Sequence, residues 1–421
     1  MSVCRFVACT VLATATGSVA CAAIINVPGD HPTIQGAIDA AVGGDEIVVQ
    51  AGTYHERINL KGKAIKVRST DPANPAIVSS TIIDADDLGS CVKCNSGESS
   101  ATIVDGFTLR DGSGTALGEN RFGGGVYVAG GADPTIDRCV IRDCTAFAGG
   151  GVYIVNGSPL IARCTIRDNT ALDGGGLNIA LSSARVRGCR IFANTADYGG
   201  GMSTHAGGSE FTNCLFYDNV GGTWGGAGWI ECGSICELND CTIANNTSPV
   251  GRALRVDSEA KPVIANSILW LNGGVNQISQ ASDGVATLLF CDYEGGWSGE
   301  GSSNISTNPL FANAGADDYH LNAGSPCLNN GSNALVPPGV TTDLDGNNRF
   351  VGIVDRGCFE RPAALDEEGN SEHPDLTSFE LLVLILQAWG PCMPGAGCPY
   401  DLNDDGEVGL DDVVIVLNDW E

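Results

Sequence analysis

Between Gly123 and Asn272 the chain writes the same phrase about six times. Glycine triplets begin at Gly123, Gly149, Gly174 and Gly199, with a degenerate copy at Gly225 and a remnant at Gly251. Cys139, Cys164, Cys189, Cys214 and Cys241, then Ser267, keep the same interval, and Asn169, Asn194, Asn219 and Asn246 keep it a third time. Three markers in phase, recurring roughly every 25 residues, predict stacked units that bury a core only between neighbours.

After each triplet comes a short alternating stretch, such as Val126-Tyr127-Val128, Val152-Tyr153-Ile154 or Leu254-Arg255-Val256. Its flanking residues point in and its middle residue points out. A second apolar row (Ile136, Ile161, Val186, Phe211, Leu238, Ile264) precedes the cysteines. A third (Ile141, Ile166, Ile191, Phe216, Ile243, Leu269) follows them. A helical period fits none of this, and glycine triplets suit a corner rather than a helix. Two or three short strands per unit describe one coil of an all-β parallel solenoid, with like residues stacked ~4.8 Å apart. The Leu/Asn framework of a leucine-rich repeat is missing.

Upstream, residues 1–23 have the form of a signal peptide: Arg5, an apolar stretch over 6–15, then small residues at 18–23. The protein is therefore expected to be secreted or at the cell surface, with lipidation at Cys21 left open. No later apolar run reaches the ~20 residues of a membrane span. The net charge of −28 argues against nucleic acid and anionic membrane as partners. Thr33–Ala41 places Ile34, Ala37, Ile38 and Ala41 on one helical face after Pro32, and is expected to cover the open end of the solenoid.

The order T-I-Q-G-A-I-D-A-A at 33–41, then G-D-E-I-V-V-Q-A-G-T-Y-H-E at 44–56, resembles the N-terminus of right-handed parallel β-helix proteins of the pectate-lyase-like superfamily. With the repeats, the resemblance covers residues 24–361. It implies one right-handed β-helix domain and an extracellular or cell-wall polysaccharide as partner. The catalytic Gln/Asp motifs of pectin methylesterases do not follow Gly52-Thr53-Tyr54 and Glu56, and polygalacturonase-like N-T-D, D-D and G-H-G elements are absent. The segment after the repeats, through Cys327 and Asp343–Gly346, is expected to close the far end.

Residues 362–375 form an acidic linker, and 376–421 a small helical module. Asp401, Asn403, Asp405, Glu407 (through its carbonyl) and Asp412, with Gly406 at the turn, have the spacing of a loop for one Ca²⁺ ion. This resembles a dockerin half-hand. Its partner copy, ending at Leu386–Trp389, has lost its ligands, since Asn370, Glu372, Pro374 and Leu381 would stand in the loop. The resemblance implies attachment to a cohesin-like protein or a cell surface, and the lost copy counts against a tight dock. Cys392 and Cys398 are the expected disulfide of an exported protein, with Cys232/Cys236 next. The inward cysteine row is expected to be mostly thiols, because parallel side chains suit the bond badly.

Candidate chemistry falls on the post-glycine strands. Their outward row is Tyr127, Tyr153, Asn178, Ser203, Trp229 and Arg255. The next is Ala129, Val155, Ala180, His205, Glu231 and Asp257. His205, Glu231 and Asp257 on successive coils, with Arg255, supply parts for acid–base work on a sugar or uronate. Tyr127, Tyr153 and Trp229 are candidates for stacking on sugar rings. Arg163 and Arg167, within an arginine field from Arg138 to Arg190, match carboxylate or sulfate groups. The alternative for that field is a salt-bridged surface with Asp137, Asp143 and Asp168. Three functions follow in order: engagement of an acidic polysaccharide, a non-catalytic adhesive scaffold, and a polysaccharide lyase or glycoside hydrolase.

Overall fold

A computed structural model describes residues 22–274 and 276–361, with short pieces at 385–386, 389–391, 407–410 and 413–414. One coil shows the plan: strands Leu160–Ala162, Thr165–Arg167, Thr170–Asp173 and Leu177–Ser182 follow one another around the axis. Coil upon coil, they build four sheets of 12, 10, 6 and 9 strands, called here first to fourth in that chain order. Pairing between coils is parallel and in register, as in Ile136↔Ile161, Ile161↔Val186 and Val186↔Phe211. The sequence predicts two or three strands per coil, and the additional one is the stretch between the asparagine and the glycines. It is half exposed, so its apolar alternation is weak.

Corners turn on single residues in the left-handed region. Arg138, Arg163, Gly188, Asn213, Asp240 and Asn266 turn the chain from first to second sheet, and Asp143, Asp168, Ala193 and Asp218 from second to third. Most are Asn, Asp or Gly, which accept that conformation at least cost. The third corner requires glycine. A Cβ on Gly174 (φ +63°) would lie 2.2 Å from the Leu177 carbonyl oxygen, and one on Gly175 would lie 2.5 Å from that of Gly200.

The inward rows are fully buried and form one continuous core. Within it the cysteines are free thiols, with Cys164 Sγ 3.2 Å from the Ala162 carbonyl. Burial pushes the Cys139, Cys164, Cys189 and Cys214 thiols well up, which suppresses thiolate chemistry. Cys232 and Cys236 are also free: Cys236 enters the core while Cys232 stays exposed. The asparagine row forms a buried amide ladder, each Nδ2 donating to the next Oδ1 at 2.9–3.0 Å from Asn169 to Asn272.

Helix α1 (Ile34–Ala40) buries Ile34, Ala37 and Ile38 against the first coil. Thr33 accepts from Gly36 N at 3.1 Å, and Glu56 accepts from Ile34 N and Gln35 N, each at 2.9 Å. That bond gives Glu56 a structural reason to follow G-T-Y. The segment after the repeats meets the last coils, where Arg356 donates to the Cys291 and Ser303 carbonyls. It also packs on the outer face of the second sheet, where Tyr319, Leu344 and Phe359 cover Leu215, Tyr217 and Ala244. Arg349, fully buried, ties it to Asp240 at 3.0 Å. Among the described residues, no helix is long and apolar enough to cross a membrane.

Candidate functional site

The third sheet folds back over the outer face of the fourth. Residues just before each glycine triplet meet the fourth-sheet residue one coil further on. Phe122 lies 4.8 Å from Tyr153, Tyr198 lies 5.2 Å from Trp229, and the Arg255 guanidinium sits 5.4 Å from the Trp224 ring centre. Trp229 is consequently buried, at 9% exposure, while Tyr127, stacked on Tyr153 at 5.8 Å, is buried at 5%. The outward aromatic row, expected from alternation to be open, instead fills the corner between two sheets. Tyr153 stays half-buried, and Trp229 Nε1 is buried without a hydrogen-bond partner.

The next row borders the solvent. Ala129, Val155, Ala180, His205 and Glu231 are each half-buried, and His205 stands opposite Glu231 in register. His205 Nδ1 lies 2.7 Å from Glu231 Oε1 and Nε2 lies 2.8 Å from Asp173 Oδ2. Burial works to lower the imidazole pKa, but the bonds and charges of Asp173 and Glu231 outweigh it and raise it to about 9. The ring is therefore an imidazolium held between two carboxylates. Asp257 does not join it: Arg255 Nη2 holds Asp257 Oδ2 at 2.8 Å, and Arg255 Nη1 donates to Ser279 Oγ at 2.9 Å. Burial opposes ionisation of Asp257, yet the Arg255, Ser282 and Ser258 bonds hold its carboxyl below the usual range.

Asp173 escapes sequence reasoning because it lies on the third sheet, 32 positions before its partner. The available signal was the pre-glycine row itself, Phe122, Ala148, Asp173, Tyr198 and Trp224, which is large or charged at four of its five places. Its other oxygen, Oδ1, is buried and unpartnered.

Towards the N-terminal end the same corner opens into a cavity of about 440 Å³ lined by Arg57, Lys93 and Arg121, with Asn59, Ser90 and Thr115. Lys93 belongs to the outward row, in register with Asn59 and Tyr127. No acidic side chain lines this cavity. Arg121 donates to the Gly114 carbonyl at 3.0 Å, while Arg57 and Lys93 form no ion pair among the described residues. In a chain of net charge −28, unpaired cations that converge are unusual. Sequence reasoning missed them because they come from three separate, irregular stretches.

The arginine field is distributed over other faces. Arg163, Arg187 and Arg190 line a cleft of about 610 Å³ beneath residues 339–346. Each has an acid: Asp137 for Arg163, Glu210 for Arg187 at 2.8 Å, and Asp345 for Arg190 at 2.6 Å. Arg167 stands on the second sheet between Arg142 and Phe192, paired with Asp168. Of the calcium loop, Glu407 is described, on a strand pairing antiparallel with Gly390–Pro391. Asp401, Asn403, Asp405 and Asp412, the Cys392–Cys398 pair and residues 1–21 lie outside the described residues.

A family model of the right-handed β-helix region matches residues 124–289. No curated protein matches the chain in sequence. Among solved structures it is similar to pectate lyase Pel9A, with a TM-score of 0.46, 13% identity, and coverage of 80% of this chain and 96% of that one. It is also similar to the pectin methylesterase of Aspergillus niger (0.36, 14%, 68% and 90%) and to that of carrot (0.34, 14%, 68% and 88%). Likenesses this distant say nothing of activity.

Proposed function

We propose that the protein binds an acidic extracellular polysaccharide along the corner between the third and fourth sheets. The observation that carries this reading is the cavity with Arg57, Lys93 and Arg121, beside the half-exposed row Ala129, Val155 and Ala180 that runs two residues along the strands from the row of Lys93. Guanidinium and ammonium groups without acids of their own suit carboxylate or sulfate groups. The small apolar floor suits the C–H face of a sugar ring. Four strand steps separate Lys93 from His205 in the sheet order, a path of ~19 Å that an extended oligosaccharide can follow.

In this reading residues 1–23 direct export. The module at 376–421 binds one Ca²⁺ through Asp401, Asn403, Asp405, the Glu407 carbonyl and Asp412, and attaches the domain to a cohesin-like protein or a cell surface. The test is affinity electrophoresis of the full chain in gels containing a polyuronate, a sulfated glycan or a neutral glucan. Retardation is expected in the first two, weakening with salt, and a ~30–150-fold loss in the Arg57→Ala/Lys93→Ala double variant, since each of the two charge-assisted bonds contributes ~1–1.5 kcal/mol. Equal retardation by the neutral glucan, or none by any polymer, would refute the reading.

A further inference from the structure

We propose that His205, Glu231 and Cys232 form a binding site for a divalent transition metal of the Zn²⁺ type, with Asp173 as the positioning residue behind the imidazole. The proposal stands apart from polysaccharide binding and needs no glycan to be tested.

Three different donor types converge here: an imidazole nitrogen, a carboxylate oxygen and a thiol sulfur, all within 4.8 Å of one another. The parallel register sets two of them face to face on neighbouring strands, and the third is the next residue, at the exposed corner where the strand ends. Donors held ~2.0–2.3 Å from one tetrahedral ion lie ~3.2–3.8 Å apart. The nitrogen–oxygen pair, hydrogen-bonded at 2.7 Å, has to open by ~0.5 Å as the ion replaces the shared proton. The exposed Cys232 side chain can bring its sulfur into range by a rotamer change.

Behind the ring, Asp173 Oδ2 lies 2.8 Å from Nε2. A carboxylate on the far imidazole nitrogen fixes the tautomer that leaves Nδ1 free for a metal and strengthens it as a donor. Nitrogen, oxygen and sulfur together favour Zn²⁺ over Ca²⁺ or Mg²⁺, which take oxygen ligands. On binding, Nδ1 and Cys232 Sγ each give up a proton to solvent. A neutral imidazole, a carboxylate and a thiolate then balance the two positive charges of the ion. His205 and Glu231 keep 18% and 17% side-chain exposure, so an ion can enter and a fourth, water-held position faces outward. Among the described residues, His55, Asp84 and Asp86 also converge, but they offer no sulfur.

The experiment is titration of the metal-stripped full chain with Co²⁺, read by the thiolate-to-cobalt charge-transfer absorption. One equivalent is expected to raise the band, and Zn²⁺ to bleach it. Cys232→Ser should abolish the band, and His205→Ala should abolish binding. Asp173→Asn should weaken binding ~10–100-fold without abolishing it. Replacing Cys392 and Cys398 by serine should leave the band in place. Metal-free Cys232→Ser should melt with its parent, which separates ligand loss from misfolding. No band in the parent, or a band that survives Cys232→Ser, would overturn the proposal.

Discussion

Replacing Asn194 by alanine tests what holds the coils in register. Asn194 Oδ1 accepts from Asn169 N at 3.1 Å and from Asn169 Nδ2 at 3.0 Å, while its Nδ2 donates to the Ile166 carbonyl at 2.9 Å and to Asn219 Oδ1 at 3.0 Å. Alanine removes all four. Asn169 Nδ2 keeps the Ile141 carbonyl and Asn219 Oδ1 keeps the Asn194 N–H, so both remain partly satisfied. The Asn169 backbone N–H is left buried without an acceptor. One orphaned buried donor costs about 1–3 kcal/mol, and the lost bonds add roughly 1 kcal/mol more. We expect a loss of about 3 kcal/mol, read from the midpoint and slope of urea unfolding. Thr195→Ala, one residue on and exposed, should change stability by less than about 0.5 kcal/mol. If the two variants unfold alike, the ladder does not hold the stack and this reasoning fails.

Burial and the Asp355 charge raise the Glu360 carboxyl to about 9, and burial raises Asp355 to about 6. Both groups keep protons in the folded state that the unfolded chain has released. Their contribution to stability is therefore full below pH ~4 and is lost as pH rises, through pH 6 for Asp355 and pH 9 for Glu360. The unfolding free energy from urea titrations should fall from pH 5 to pH 8 by up to ~1.4 kcal/mol per pH unit per proton, and Glu360→Gln should flatten that slope. A slope unchanged in Glu360→Gln would remove Glu360 as its source. Gly175→Ala presses a Cβ against two backbone carbonyls, those of Gly200 at 2.5 Å and Thr195 at 2.6 Å, and should cost ~3 kcal/mol or more. At Gly97 a Cβ meets nothing within 4 Å, so Gly97→Ala should show only the ~1–2 kcal/mol of its φ of +72° in the same assay. Calorimetric titration with Ca²⁺ should find one site, removed by Asp401→Ala, whereas two sites would contradict the loss of ligands in the partner copy.

The core was legible because inward positions of a stacked coil face the same neighbours each time. Ile136, Ile161 and Val186 repeat for that reason, and the strands fall where their alternation places them. Outward positions have no such regularity. Tyr127 and Trp229 look exposed by alternation, but Tyr127 is stacked on Tyr153 and Trp229 is covered by Tyr198 and Trp224 of the third sheet, whose half-exposed strands such as Thr145–Ala148 carry no strong apolar alternation. The His205–Glu231 pair follows from register alone, since the two residues stand on neighbouring strands. Asp173 does not, because the contact crosses between sheets as well as between coils. Arg57, Lys93 and Arg121 come from stretches outside the regular repeat, where no marker gives their alignment.

A crystal structure with a bound acidic oligosaccharide decides whether the corner at Lys93 holds an acidic glycan. A carboxylate or sulfate group is expected between Arg57, Lys93 and Arg121, with the chain running over Ala129, Val155 and Ala180 towards His205. An oligosaccharide seated instead in the cleft of Arg163, Arg187 and Arg190 would contradict it.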